Sequence, residues 1–120
     1  MSYSIEFTLP GLPSTTNSSG RKHWAIKAKE VRQWKNMVII TVGTRKPKEP
    51  LQKARLTLTR VSSSVPDADG LVSSFKSCVD GLVSCGVLID DKMKNIGMPD
   101  YRHEIGKPGQ GFIRIKVEEL

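Results

Sequence analysis

Residues 66–91 read PDADGLVSSFKSCVDGLVSCGVLIDD, and the fold turns on how that stretch is parsed. Its interior, Leu71 to Gly86, spaces Leu71, Val72, Phe75, Val79, Leu82 and Val83 so that they share one side of a helix advancing about 100° per residue. Asp69, Ser73, Lys76, Asp80 and Ser84 fall on the other side. Asp69 stands where an N-cap is wanted, and Gly86 where a helix ends on a left-handed C′ glycine. The spacing predicts one amphipathic helix with a pair of aspartates at each end, Asp67/Asp69 before it and Asp90/Asp91 after it.

Working outward, Ala54 to Ser63 alternates apolar and polar residues (Ala54, Leu56, Leu58, Arg60 in one phase) and predicts a strand leading into the helix. Upstream, Lys22 to Val42 carries Trp24, Ile26, Val31, Trp34, Met37, Val38 and Ile40 at near-helical spacing. Lys27, Lys29, Arg32 and Lys35 interleave as its solvated face, and both tryptophans belong to the apolar stripe. Ser4 to Leu9 alternates as a first strand ended by Pro10-Gly11, and Gly11 to Gly20 has the Gly, Pro, Ser, Thr and Asn content of a loop. Downstream, Asn95 to Glu104 is expected to be a strand, and Phe112, Ile113, Ile115 and Val117 mark a last one. Strand, helix, strand, helix, strand, strand makes an α+β fold, a single mixed sheet of about four strands with two main helices.

The chain of 120 residues has the length of one domain, taken as 1–120. Its longest apolar run, Met37 to Val42, is far short of the roughly 20 residues of a membrane span, and the start Met1-Ser2-Tyr3-Ser4 has no signal-peptide pattern. A cytoplasmic protein of a bacterium or phage is expected. Cys78 and Cys85 lie seven residues apart on the expected helix, about 10 Å between backbones, too far for a disulfide. Two cysteines and two separated histidines, His23 and His103, offer no zinc spacing, so any metal must be held by oxygen.

The net charge of +7 is uneven. Residues 1–60 hold 12 lysines and arginines against 3 acids, whereas residues 61–120 hold 7 against 9. A cationic half attracts phosphate through counterion release, which puts nucleic acid first among partners, with a merely solubilising surface as the bland alternative.

The acids carry the chemistry. In an extended chain Asp67 and Asp69 point the same way and would bind one hard cation together. A straight helix of 71–86, about 24 Å long, would keep them from Asp90 and Asp91 unless the following chain returns along it or a partner subunit supplies the second pair. A calcium loop is excluded, since with Asp69-Gly70 as its fifth and sixth positions Val65 and Lys76 would be its first and last ligands. Lys76 shares a helical stripe with Asp69 and Asp80. Either it forms an ion pair with Asp80, worth about 0.3–0.5 kcal/mol, or it steadies a phosphate. His23, at a basic helix start, is better suited to phosphate or solvent than to general-base work.

These elements together resemble the RusA family of Holliday junction resolvases. The matching residues are Leu9-Pro10, Pro13-Ser14 and Asn17, then Asp67-Ala68-Asp69-Gly70-Leu71, then Lys76 with Asp80-Gly81-Leu82, and Gly86-Val87-Leu88-Ile89-Asp90-Asp91. The resemblance implies a Mg²⁺-dependent homodimer, with Mn²⁺ as substitute and no nucleotide cofactor, that nicks two strands of a four-way DNA junction symmetrically. It puts Asp67, Asp69 and Asp91 at the metal-binding positions, with Asp90 beside them, and Lys76 at the catalytic lysine. It also implies that the basic first half, here Asn17, Arg21, Lys22, His23, Lys27 and Lys29, meets the DNA arms. Gly70 differs from the Asn of many members, the interval from Asp69 to Lys76 is longer than usual, and Asn17 falls slightly late. Two other readings stand beside it: a branched-DNA-binding protein of a mobile element without nuclease activity, and a nuclease for flaps, forks or RNA.

Overall fold

Each strand places its apolar residues on alternate positions, and hydrogen bonding aligns those positions into rows across one sheet. The computed structural model describes residues 2–15 and 24–120. Its elements are β1 (Ser4–Pro10), α1 (Trp24–Val42), β2 (Ala54–Ser62), α2 (Ala68–Ser74), α3 (Lys76–Ser84), α4 (Met93–Ile96), β3 (Asp100–Ile105) and β4 (Phe112–Glu119). The strands form one mixed sheet in the order β1-β4-β2-β3, antiparallel except for the parallel pair β2-β3, whose connection carries α2, α3 and α4. The expected α+β architecture is the one observed.

The register lines up Ile5, Val117 and Leu56 in one inner row, and Phe7, Ile115, Leu58 and Tyr101 in the next. These pack with Val38, Val42, Phe75, Cys78, Val79, Leu82, Val87 and Leu88 of the helical layer to make the core. The third inner row, Leu9, Ile113, Arg60 and His103, turns polar where β2 and β3 end. The opposite face has one apolar row at its end, Pro10, Phe112 and Val61 beside Glu104, and is polar along the rest. Its rows Glu6-Lys116-Thr57-Asp100 and Thr8-Arg114-Thr59-Arg102 alternate charge with hydroxyl, as on an antiparallel sheet with one solvated side.

The segment 71–86 is not one helix. It breaks at Phe75, and two serines explain the break. Ser73 Oγ donates to Gly70 O at 3.3 Å and Ser74 Oγ to Leu71 O at 2.8 Å, taking carbonyls that the helix ladder would use, and Phe75 N–H falls back on Val72 O at 3.3 Å. The start differs too: the cap is Asp67, whose Oδ1 accepts the Gly70 N–H at 2.7 Å, while Asp69 lies in the first turn. Within the expected apolar arc, Phe75, Val79 and Leu82 are buried, Leu71 and Val83 are partly covered, and Val72 is 44% exposed.

Three further expectations need correction. Trp24 is 75% exposed rather than in the core, because α1 buries only Val38 and Val42, near its C-terminal end; Trp34 does pack against the core. The expected strand 95–104 begins only at Asp100. Before it, the Asn95 and Ile96 amides both donate to Lys92 O, at 2.8 and 3.0 Å, closing one helical turn, which Gly97 at φ +59° ends. The β2 strand stops at Ser62. Among the described residues no helix is long and apolar enough to cross a membrane. The cysteines are free, as spacing predicts, and burial pushes the Cys78 thiol up to about 12.

Helices α1 and α3 meet at Gly81, where an added Cβ would stand 3.0 Å from Val38 Cβ and 3.1 Å from the Lys35 carbonyl oxygen. The contact is backbone to backbone, so a side chain must push the helices apart. Gly81→Ala is expected to cost about 1–3 kcal/mol, read as a lower urea midpoint at unchanged slope. An unaltered midpoint would show that the helices do not need this closeness.

Candidate functional site

The chain that leaves α3 reverses immediately. Gly86, at φ +88°, donates its N–H to Val83 O at 3.2 Å, and Val87 N–H reaches Leu82 O at 3.0 Å, the paired bonds of a Schellman ending. The returning strand is then pinned to Leu51: Leu51 N–H donates to Val87 O at 2.9 Å, and Ile89 N–H to Leu51 O at 3.1 Å. Asp90 Oδ1 accepts the Asp91 N–H at 2.7 Å and shapes the turn. Asp91 is thereby delivered to the start of α3.

There Lys76 meets it. Its Nζ donates to Asp91 Oδ2 and to Asp80 Oδ1, each at 3.1 Å. The bond to Asp91, then that to Asp80, holds the ammonium above its ordinary pKa, and the Lys76 bond holds the Asp91 carboxyl below its own. All three groups touch solvent, and exposed ion pairs of this kind stabilise folds by only about 0.2–1 kcal/mol. The two readings of Lys76 drawn from sequence meet here, since the i, i+4 partner and the distant acid bind the same ammonium.

Ser73 and Lys76 separate two clefts. On one side lie Pro13, Ser14, Lys27, Val31 and Trp34, with Ser74 and Ser77. On the other is a cleft of about 370 Å³ walled by Val72, Val79, Met93, Ile96, Pro99 and Tyr101, with Asp91 and Lys76 at its edge. Asp69 lies one turn before Ser73, on the α2 face that carries Ser73 toward both clefts.

Asp67 and Asp69 have the hard oxygen chemistry that a divalent ion takes, as do Asp90 and Asp91. One Asp67 oxygen is engaged as the helix cap. Among the described residues no three Asp, Glu, His or Cys side chains stand grouped as a ligand set, so the donors fit in kind while the two pairs are not gathered. Asn17, Arg21, Lys22 and His23 lie outside the described residues. Lys27 and Lys29 are exposed on α1, Lys27 at the mouth of the first cleft.

Arg60 belongs to the frame of the site although no motif marks it. It is only 8% exposed, and its Nη1 donates to the Pro13 carbonyl oxygen at 2.7 Å, tying the segment before residue 16 to the end of β2. Burial lowers its pKa. The signal was present in the alternation of β2, where an arginine occupies an inward phase. Beside it, Ser62 Oγ donates to Ser64 O at 2.7 Å and lies 2.9 Å from His103 Nε2, joining β3 to the loop that enters α2. Gly70 has a packing role as well: a Cβ there would fall 2.7 Å from Asp67 Oδ1 and 3.1 Å from Thr15 Cβ. No room remains for the amide that Asn would bring.

No protein-family model matches the chain, and no curated protein is significantly similar to it.

Replacing Lys76 with Met removes the ammonium that depresses Asp91. The Asp91 carboxyl should then titrate at higher pH by carboxyl-carbon NMR. Because its pKa is lowered in the folded state, the stabilisation from this pair is present above the ordinary aspartate range and is lost as pH falls through the depressed value. Lys76→Met should therefore reduce the fall in stability at acid pH. Identical Asp91 titration in both proteins would mean that the ammonium is not seated there in solution.

Proposed function

We propose that this chain is a Mg²⁺-dependent, structure-specific endodeoxyribonuclease of the RusA type, which resolves four-way DNA junctions by paired symmetric nicks as a homodimer. The observation that supports it most is the return of Asp91 to Lys76, 3.1 Å away, at the edge of clefts shared with the helix that Asp67 and Asp69 begin. A resolvase reading requires that the acids flanking this helical pair act near one lysine. A turn that only ended α3 would not need that meeting.

In this reading Asp67, Asp69 and Asp91 would hold the divalent ion when it and the DNA bind, with Asp90 shaping the turn that presents Asp91. The ion, Mg²⁺ or Mn²⁺, supplies a Lewis acid and neutralises phosphate charge. Lys76 donates N–H to a non-bridging oxygen of the scissile phosphate, whose negative charge grows in the transition state. Water oxygen bonds to phosphorus as the P–O3′ bond breaks, and the departing 3′ oxygen ends protonated, leaving 5′-phosphate and 3′-hydroxyl ends. Lys27 and Lys29, with Asn17, Arg21, Lys22 and His23, bind the DNA arms, and two protomers related by a two-fold axis meet the two strands cut.

Asp69→Asn and Asp91→Asn should each lower cleavage of a synthetic four-way junction by at least about 10²-fold, while gel-shift affinity is kept or improved. Undiminished cutting by both variants would sink the assignment. A second reading, a branched-DNA-binding protein without nuclease activity, draws on the ungathered acids among the described residues. It expects the wild type with Mg²⁺ to shift the junction and leave every strand intact.

A further inference from the structure

We propose that the apolar cleft beside Lys76 and Asp91 receives a nucleobase that has left the DNA stack next to the phosphate held at Lys76. This inference rests on the DNA reading of the same site and adds to it the part of the substrate that the cleft would recognise. Its walls are Val72, Val79, Met93, Ile96, Pro99 and Tyr101, and among the described residues the ionic groups that line it are Lys76 and Asp91, 3.1 Å apart. Lys76 gives one N–H to Asp80 and one to Asp91, and its third N–H can meet an anion; on the DNA reading above, the ligand that joins an apolar planar part to such an anion is a single nucleotide, base in the cleft and phosphate at the ammonium.

Three observations favour that occupant. At about 370 Å³ the cleft has room for a single base. Tyr101 supplies an aromatic wall, and Phe75, 6.2 Å away and tilted by 46°, braces the ring from the core. Val72 and Met93 stay 44% and 64% exposed, so apolar surface remains at the cleft for a ligand to cover. Both base stacking on an aromatic ring and the cost of unpairing bear on selectivity. Bases at a branch point are cheaper to withdraw than those inside a duplex, so such a cleft discriminates in favour of branched DNA.

The test uses the wild type and the neutral double variant Val72→Asn/Met93→Gln, both positions being exposed enough to fold. Affinity is measured for a four-way junction, for the same junction with abasic nucleotides at the branch, and for plain duplex, at one salt concentration and without divalent ions. We expect the abasic change to weaken wild-type binding roughly tenfold, the double variant to lose the same factor on the intact junction, and the two losses not to add. Duplex affinity should be unchanged. Additive losses, or no abasic effect on a wild type that still binds the junction, overturn the cleft proposal alone. Failure of the wild type to bind any DNA overturns the DNA reading beneath it. The free proteins should sediment alike; a smaller species for the variant means that a second copy covers the cleft, and the proposal falls.

Discussion

Lys76 can hold Asp80 and Asp91 together only because the chain reverses at Gly86 and is pinned to Leu51. Five backbone bonds enforce that path: three close the end of α3, from the Gly86, Val87 and Leu88 amides, and two bind the returning residues 87–89 to Leu51. Val87 and Leu88 are fully buried within it, so core burial and hydrogen bonding act on the same few residues. The exposed ion pairs are a consequence of this path. They stabilise the fold too weakly to create it.

A second constraint is the closeness of α1 to α3 at Gly81. It lets α3 lie against α1, and Val38 and Val42 complete the core beneath. With α3 placed, its N-terminal residue Lys76 falls between the two clefts, with Lys27, Glu30, Val31 and Trp34 of α1 on one side and the apolar walls from α4 and β3 on the other. The break at Phe75 then matters. A straight helix would carry Asp69 and Lys76 on one unbroken ladder, whereas the serine bonds at 73 and 74 interrupt it between Asp69 and Lys76, with Val72 on the cleft wall.

The polar end of the inner sheet face connects the rest. Arg60, Ser62 and His103 occupy positions that alternation alone would make apolar, and they tie Pro13, Ser64 and β3 to the loop before Asp67. Gly70 and Thr15 close the same region with no space for a side chain. The entry to α2 is therefore supported from three parts of the chain.

The sequence by itself determined the α+β class, the strand phases, the C′ glycine at Gly86 and the amphipathic character of 71–86, because each follows from local periodicity or from a backbone angle that only glycine takes cheaply. The acids and lysine were legible too, as residue types at a spacing. Their geometry was not. Whether Asp91 returned depended on Leu51, far away in the chain; the helix break depended on serine hydroxyls competing with the ladder; and the exposure of Trp24 depended on α1 burying residues only toward its other end. Those are tertiary decisions, since hydrogen bonds and burial between distant segments carry no period along the chain. Arg60 shows the boundary between the two, its inward phase written in β2 and its partner, Pro13, chosen by the fold.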